Sequence, residues 1–464
     1  MNYLIYPLAF IFILGSAVVL HEFGHFIVAK LFKIRVETFS VGFGPRLFGK
    51  KWGQTDYRVS AIPLGGYVKL GGDESNAPIE GEGASDIPPQ ERFDLRPRWQ
   101  RILVALAGPV MNILTALAIP FVGAMMYGVP VSPPPVVSYV ASGGAAQVAG
   151  LQPGDRIVSF NGTENPEWDT IRGDALLSPG HALPLVVERN GQRVPLTITP
   201  TAQTEEGETI GSLDLVPDNG GFPVVVRAVT KDAPAGEAGI QPGDRIVAIN
   251  GQPVRSAEHV RTFIGEHRSQ PITLTVERNG HRLDITATPR RLADGVERLG
   301  IAQTDDFPLV KPTLASAASY AVRSNLELLR LTGKALGQFF TGQRSARNTL
   351  SGPVGIYKAA GSAVERFGWG GFFTTLGFLS LNLGIFNLLP IPVLDGGAIF
   401  LLLIEAVLAT VGMKLSMRVR ERIQQVGFVM VILLMVFVIT NDILKQASIW
   451  RGGSNPPAAA TPGK

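Results

Sequence analysis

The sequence predicts a multi-pass α-helical membrane protein with four transmembrane helices, one of them broken, a membrane-associated β-hairpin and two inserted β-rich domains. Three observations carry this. Long apolar runs recur in the first and last thirds of the chain, around residues 4–29, 101–127, 371–411 and 424–443. Between the second and third lies a soluble stretch, 131–307, that repeats itself. Lys and Arg crowd one flank of the spans, which sets an orientation. The mean hydropathy of +0.21 and 17% charged residues fit a chain that is partly embedded in lipid. A net charge of +4 is too small and too dispersed for nucleic acid. With no cysteine there is neither a disulfide nor a thiolate metal site, so metal ligands must be His, Asp or Glu.

The first span, residues 1–30, runs uncharged from Leu4 to Leu20 and then reads His21-Glu22-Phe23-Gly24-His25. It is no secretory signal: no basic residue precedes it and His-Glu stands where a cleavage site would be. On a helix, histidines four apart project from one face and can grip one zinc ion, and the adjacent Glu22 can take a proton from the attacking water. An ionisable residue at membrane depth is costly, so it is a functional candidate. Lys30, Lys33, Arg35, Arg46, Lys50 and Lys51 follow, against Glu37 alone, which makes this flank cytoplasmic and places His21 in the cytoplasmic half of the span.

Residues 31–100 hold two strand-like runs, Val36–Val41 and Tyr57–Ile62, with turns at Gly42-Phe43-Gly44-Pro45 and Pro63-Leu64-Gly65-Gly66. They make either a plain cytoplasmic hairpin or one that dips toward the site and offers a strand edge to unfolded substrate. Residues 71–91 read as a flexible loop. The second span, 101–128, carries Gly108-Pro109 and Asn112 on one face, a pattern for close helix packing plus an interhelical hydrogen bond.

Within 131–307, Gly150-Leu151-Gln152-Pro153-Gly154-Asp155-Arg156-Ile157-Val158 returns as Gly239-Ile240-Gln241-Pro242-Gly243-Asp244-Arg245-Ile246-Val247. Val187–Gly191 returns as Val276–Gly280, and Ile210-Gly211 as Leu299-Gly300, all at an offset of 89 residues. This is a duplicated domain, 131–218 and 220–307. The Gly-Leu-x-Pro-Gly-Asp-x-Ile pattern resembles bacterial protease-associated PDZ domains, whose carboxylate-binding loops would then lie near Gly211 and Gly300. The alternative is a rigid spacer or access filter that binds no peptide.

Residues 312–370 read as an amphipathic helix, with Val322, Leu326, Leu329, Leu336 and Phe340 on one face, and a linker. The nearly uncharged segment 371–412 is too long for one ordinary span, and Asn387-Leu388-Leu389-Pro390-Ile391-Pro392-Val393-Leu394-Asp395-Gly396-Gly397 must break it. A helical hairpin would return the chain to the side of the repeats. The next loop carries Lys414, Arg418, Arg420 and Arg422 against Glu421, so it is cytoplasmic, which selects one broken span. Asp395 then lies at the depth of His21. A lone buried carboxylate needs a partner, and zinc supplies one. The competing role is a helix-capping Asp. A last span, 424–445, and a disordered tail, 452–464, complete the chain.

His21–His25 paired with Leu394-Asp395-Gly396 resembles the site-2 protease family of intramembrane zinc metalloproteases, as do Gly65–Lys69, Gly108-Pro109 with Asn112, and Asn382-Leu383-Gly384 before Asn387. The resemblance covers residues 1 to about 445. It implies Zn2+ held by His21, His25 and Asp395, with Glu22 as general base. Asn382 and Asn387 would help hold the substrate backbone, and Gly42-Phe43-Gly44 would belong to a membrane re-entrant loop that pairs with substrate. Implied substrates are single-span membrane proteins: an anti-sigma factor already trimmed by an upstream periplasmic protease, and remnant signal peptides. The enzyme would lie in the lipid of the bacterial inner membrane, its active site toward the cytoplasm and its PDZ domains periplasmic, excluding untrimmed substrates. A PDZ scaffold without activity has no use for the four site residues together, and a metal-binding transporter has none for the PDZ pair.

Overall fold

The structure is a computed structural model and describes residues 4–73, 87–205, 208–230, 232–291, 297–341, 352–413 and 416–452. Most of the 71–91 loop and the tail beyond 452 lie outside these residues. The chain forms two compact units, one made of residues 1–126 with 312–464, the other of residues 127–311.

The first unit is built on helices α1 (Ile5–Leu31), α2 (Arg98–Tyr127), α3 (Leu314–Phe340), α4 (Pro353–Phe367), α5 (Trp369–Asn387), α6 (Asp395–Thr410) and α7 (Met417–Gly452). α1, α2, α5 and the 422–444 part of α7 are long and apolar enough to cross a membrane. Small residues set their spacing: Ala9, Ala17 and Ala360 join Ile13 and Leu376 in a buried cluster, and Gly361 lies under the Tyr6 ring. The stretch read as a linker contains α4. Its first turn is capped by Asp442 of α7, a buried carboxylate that accepts from the backbone N–H groups of Gly352 (3.1 Å), Val354 (3.0 Å) and Gly355 (3.2 Å). The helix's unpaired donors and positive end thus satisfy a charge that lipid would not.

α3 turns its small residues inward, with Ala317, Ala321 and Asn325 buried, and Asn325 donates to the Ala116 carbonyl at 3.0 Å. Val322, Leu326 and Phe340 of the apolar face stay exposed. The broken segment is two helices, α5 and α6, joined through 388–394. Gly396 and Gly397 lie against the carbonyls of Leu388 and Ile391 with no room for a Cβ, and Gly427 of α7 abuts Pro392.

The hairpin is larger than two short strands. β1 (Val36–Trp52) and β2 (Thr55–Leu70) are long and bent, so that Phe39 pairs with both Val68 and Tyr57, and Ser40 with both Tyr67 and Arg58. The result is four strand segments in the order 66–70, 36–41, 55–60, 46–52. Gly42 (φ +91°) and Gly44 (φ +86°) bend β1 between its two halves, and a Cβ at Gly42 would strike the carbonyls of Ser60 and Ile62. The Ser40–Ser60 hydroxyl pair, 2.8 Å, closes the buried side of the bend.

In the second unit each repeat folds around its own core. Strands 156–160, 183–189 and 192–198 of the first bury Ile157, Phe160, Leu185 and Val187, and strands 245–249, 272–278 and 281–287 of the second bury Ile246, Leu274 and Val276. A fork repeats as well. Arg189 holds Asp155 and the Gly150 carbonyl, and Arg278 holds Asp244 and the Gly239 carbonyl, which fixes each Pro-Gly-Asp turn. Tyr139 joins the repeats by donating to Glu266 at 2.6 Å and stacking on His259.

Candidate metal centre

His21 and His25, one turn apart on α1, converge on Asp395, the first residue of α6. His21 Nε2 is 3.0 Å from Asp395 Oδ2, His25 Nε2 is 3.6 Å from Asp395 Oδ1, and the two Nε2 atoms are 3.2 Å apart. Edges of about 3.3 Å are what a tetrahedral ion with bonds near 2 Å requires. Both carboxylate oxygens of Asp395 face the imidazoles. Among the described residues, these three form the one group of His and carboxylate side chains placed to hold a metal.

The surroundings fit a metal too. His25 Nδ1 lies 2.7 Å from the Val104 carbonyl, so it carries the proton and leaves Nε2 as a bare ligand. Asn112, fully buried, reaches His21 Nδ1 at 3.3 Å through its Nδ2, while its Oδ1 has no partner. Turned by half a rotation, the same amide sets Oδ1 against an Nδ1–H, satisfies the orphaned oxygen and frees His21 Nε2 in the same way. Gly108 leaves the space: a Cβ there would overlap the Nε2 atoms of both histidines. Gly24 likewise lies on the Ala107 carbonyl, which lets α1 and α2 approach closely enough for these contacts.

The Val68 backbone N–H faces the Glu22 carboxylate, so strand segment 66–70 lies beside it. Gly66 packs beside Val19, and Gly65 beside Val18 and the Phe43 ring. Thus Gly42-Phe43-Gly44 forms the bend behind that segment. Asn387, the last residue of α5, brings its Nδ2 to 3.4 Å from His21 Nε2. Asn382 points elsewhere. It donates to the Phe378 carbonyl at 2.9 Å and accepts from Thr332 at 3.4 Å, contacts made away from the ligand atoms.

The close packing and interhelical hydrogen bond expected of Gly108 and Asn112 are made to α1, at His21 and His25 themselves. Their i, i+4 spacing on α2 mirrors that of the two histidines on α1. In the other unit, Gly211 rests against the Ala175 carbonyl, whereas Gly300 (φ +79°) rests against Ala233. The two glycines therefore occupy different places in their domains.

The model of peptidase family M50 matches residues 9–434. The regulator of sigma-E protease RseP of Salmonella typhimurium (strain 14028s / SGSC 2262) is 32% identical, the alignment covering 94% of this chain and 97% of the relative. RseP of Escherichia coli (strain K12) is 31% identical with the same coverage. A putative zinc metalloprotease of Vibrio cholerae serotype O1 is 32% identical over 94% of this chain and 98% of the relative. Among solved structures, the PDZ domain of an SdrC-like protein from Listeria monocytogenes aligns with 17% of this chain and 85% of its own, at 20% identity and a TM-score of 0.16.

Proposed function

This chain belongs to peptidase family M50 and is a zinc metalloprotease; on that premise we propose that it cuts single-span membrane proteins within or near their transmembrane segment. The observation that carries this reading is the position of the ligands. His21 and His25 lie on a helix with the length and apolar character of a membrane span, and Asp395 begins the helix after the α5 break. In this reading α5 and α6 together cross the bilayer as one broken span. Irregular backbone is tolerated at such depth where it lines a protein-enclosed site. The Lys and Arg flanks put the centre on the cytoplasmic side of an inner membrane and the PDZ-like domains outside.

Bound zinc, held by His21, His25 and Asp395, supplies Lewis acidity toward the scissile carbonyl. Glu22 takes a proton from the attacking water as its oxygen adds to the carbonyl carbon. It returns that proton to the amine as the C–N bond breaks. Asn387 offers an amide N–H beside His21 for the carbonyl oxygen. A substrate helix hides its carbonyls in its own hydrogen bonds, so it must unwind first. The edge segment 66–70, whose Val68 N–H faces Glu22, gives the unwound stretch a strand to pair with. The PDZ-like domains gate access, so that an anti-sigma factor trimmed outside by another protease, or a remnant signal peptide, enters and an intact ectodomain does not.

The test is cleavage of a model single-span substrate by purified enzyme. Glu22→Gln should keep zinc and lose turnover, and Asp395→Ala should lose both. Helix-breaking residues near the scissile bond should speed the parent enzyme, whereas equal cutting of a soluble unfolded chain and the membrane substrate would rule out the intramembrane reading.

A further inference from the structure

The two PDZ-like repeats match at an offset of 89 residues through most of their length, but not in their last strand. In the second domain the Leu299 carbonyl accepts from Ala235 N–H and the Gly300 carbonyl from Thr230 N–H, both at 2.9 Å, and Ile301 pairs with Val229. In the first, the Leu213 carbonyl accepts from Ala146 N–H and the Asp214 carbonyl from Ala141 N–H, both at 3.0 Å, and Leu215 pairs with Val140. Ala146, Ala141 and Val140 are the 89-residue partners of Ala235, Thr230 and Val229. The counterpart of Gly300 is therefore Asp214, three residues beyond Gly211. The backbone agrees, with φ +53° at Asp214 and +79° at Gly300, a conformation rare outside glycine that Asp tolerates better than most.

A compensating exchange accompanies the substitution. Ala233 faces Gly300, and Gly144 faces Asp214; a Cβ on either glycine would overlap the Cβ opposite. Each pair has room for one side chain. In the first domain that side chain is charged and tied down. Asp214 Oδ2 accepts from Ala145 N–H (3.1 Å) and the Thr201 hydroxyl (2.6 Å), Oδ1 accepts from the Ser212 hydroxyl (2.6 Å) and, more distantly, Gln203 Nε2 (3.4 Å). The Asp214 N–H is itself taken by Ser212 Oγ at 3.2 Å. The second domain has Arg290 at the 89-residue position of Thr201, where it pairs with Glu237 at 2.6 Å, and Arg298 two residues before Gly300, as Ser212 stands two before Asp214. One loop carries a fixed anion and a spent amide; at the matching position the other carries no side chain.

We propose that Asp214 is a built-in anion that closes the first PDZ-like domain to peptide carboxyl termini, so that any capture of a free C-terminus falls to the Gly300 loop of the second. The inference rests on reading the repeats as PDZ-like, and its test separates the two. Full-length Glu22→Gln protein in detergent micelles is titrated with a fluorescein-labelled heptapeptide ending in leucine, with the C-terminal amide as control. Stoichiometry is read by anisotropy, and folding of each variant is checked by circular dichroism. The parent should bind one equivalent, with the amide at least about tenfold weaker because it lacks the charge. Gly300→Asp/Ala233→Gly, which installs the first domain's arrangement in the second, should abolish that site. Asp214→Gly/Gly144→Ala should add one carboxylate-dependent equivalent. Asp214→Asn, which keeps the side chain's size and loses its charge, should add a weaker one and covers a failure of the double variant to fold. If the parent binds nothing and the Asp214 variants gain a site, the role of Asp214 stands and peptide capture by the second domain falls. Two equivalents in the parent, or no gain in either Asp214 variant, overturns the proposal.

Discussion

Gly108 of α2 lies directly on the imidazole of His25, with no space for even a methyl group between its Cα and His25 Nε2. The candidate metal site is therefore shaped by a residue with no functional group. Gly108→Ala should fold, since Ala favours the helix by about 1 kcal/mol over Gly. Its Cβ must displace both ligand nitrogens, so zinc content measured by atomic emission should fall well below one equivalent and proteolysis should fall with it. A fully loaded, active Gly108→Ala enzyme would show that the ligands have slack the structure does not give them.

Asn112 acts through His21. Outer partners that fix a ligand's tautomer typically change metal affinity by about 10–100-fold. Asn112→Leu should weaken zinc binding by that order in a chelator competition. Asn112→Asp keeps an oxygen at His21 Nδ1 and should restore most of it. Equal losses in both variants would point to packing rather than to the hydrogen bond.

How much of this site the sequence discloses depends on whether its residues share an element. His21, Glu22 and His25 lie on one helix, so spacing alone aligns them, and Asp395 stands out because a lone acid in an apolar segment needs a cation. Gly108 and Asn112 are legible as a packing glycine and a hydrogen-bonding amide, but no periodicity says that the helix they meet is α1. The four-segment sheet escapes because β1 pairs on both sides, a tertiary choice that runs of apolar residues do not encode. The match of Gly211 to Gly300 misleads for a related reason. A three-residue shift in the last strand preserves a glycine in the alignment while putting Asp214 in its structural place.

The repeated Asp–Arg forks make a pH-dependent prediction outside the membrane. Burial alone would raise the Asp244 carboxyl, but the Arg278 guanidinium and the Gln241 N–H hold it below the ordinary carboxylate range. A depressed folded-state pKa adds stability that is present above the unfolded value of about 3.9 and is lost as pH falls through the folded one. Arg278→Leu leaves the nearly inaccessible Asp244 without its cation, and should cost the second domain about 3 kcal/mol at pH 7. The gap between parent and variant in thermal unfolding should narrow as pH falls, first as the variant's unpaired, burial-raised carboxyl takes its proton and until the parent's does so below its depressed pKa. A gap independent of pH would assign the loss to packing of the arginine stem.

Val393 has φ +85°, a left-handed backbone that a β-branched residue adopts only at a cost of about 1–3 kcal/mol. It stands two residues before Asp395, in a break pinned on both sides: Gly396 and Gly397 against the carbonyls of Leu388 and Ile391, and Pro392 against Gly427. The contacts that aim Asp395 thus come from its neighbours, and the strain at Val393 is their consequence. Glycine adopts this φ freely, although it adds about 0.5–1 kcal/mol of unfolded-state entropy. Val393→Gly should therefore be neutral to about 1 kcal/mol stabilising, with zinc and turnover retained. Val393→Pro fixes φ near −65°, which the break cannot accommodate without turning Asp395 away from His21 and His25. That variant should lose zinc. If Val393→Gly also lost it, the strained valine and not its glycine neighbours would be what holds Asp395 at the centre.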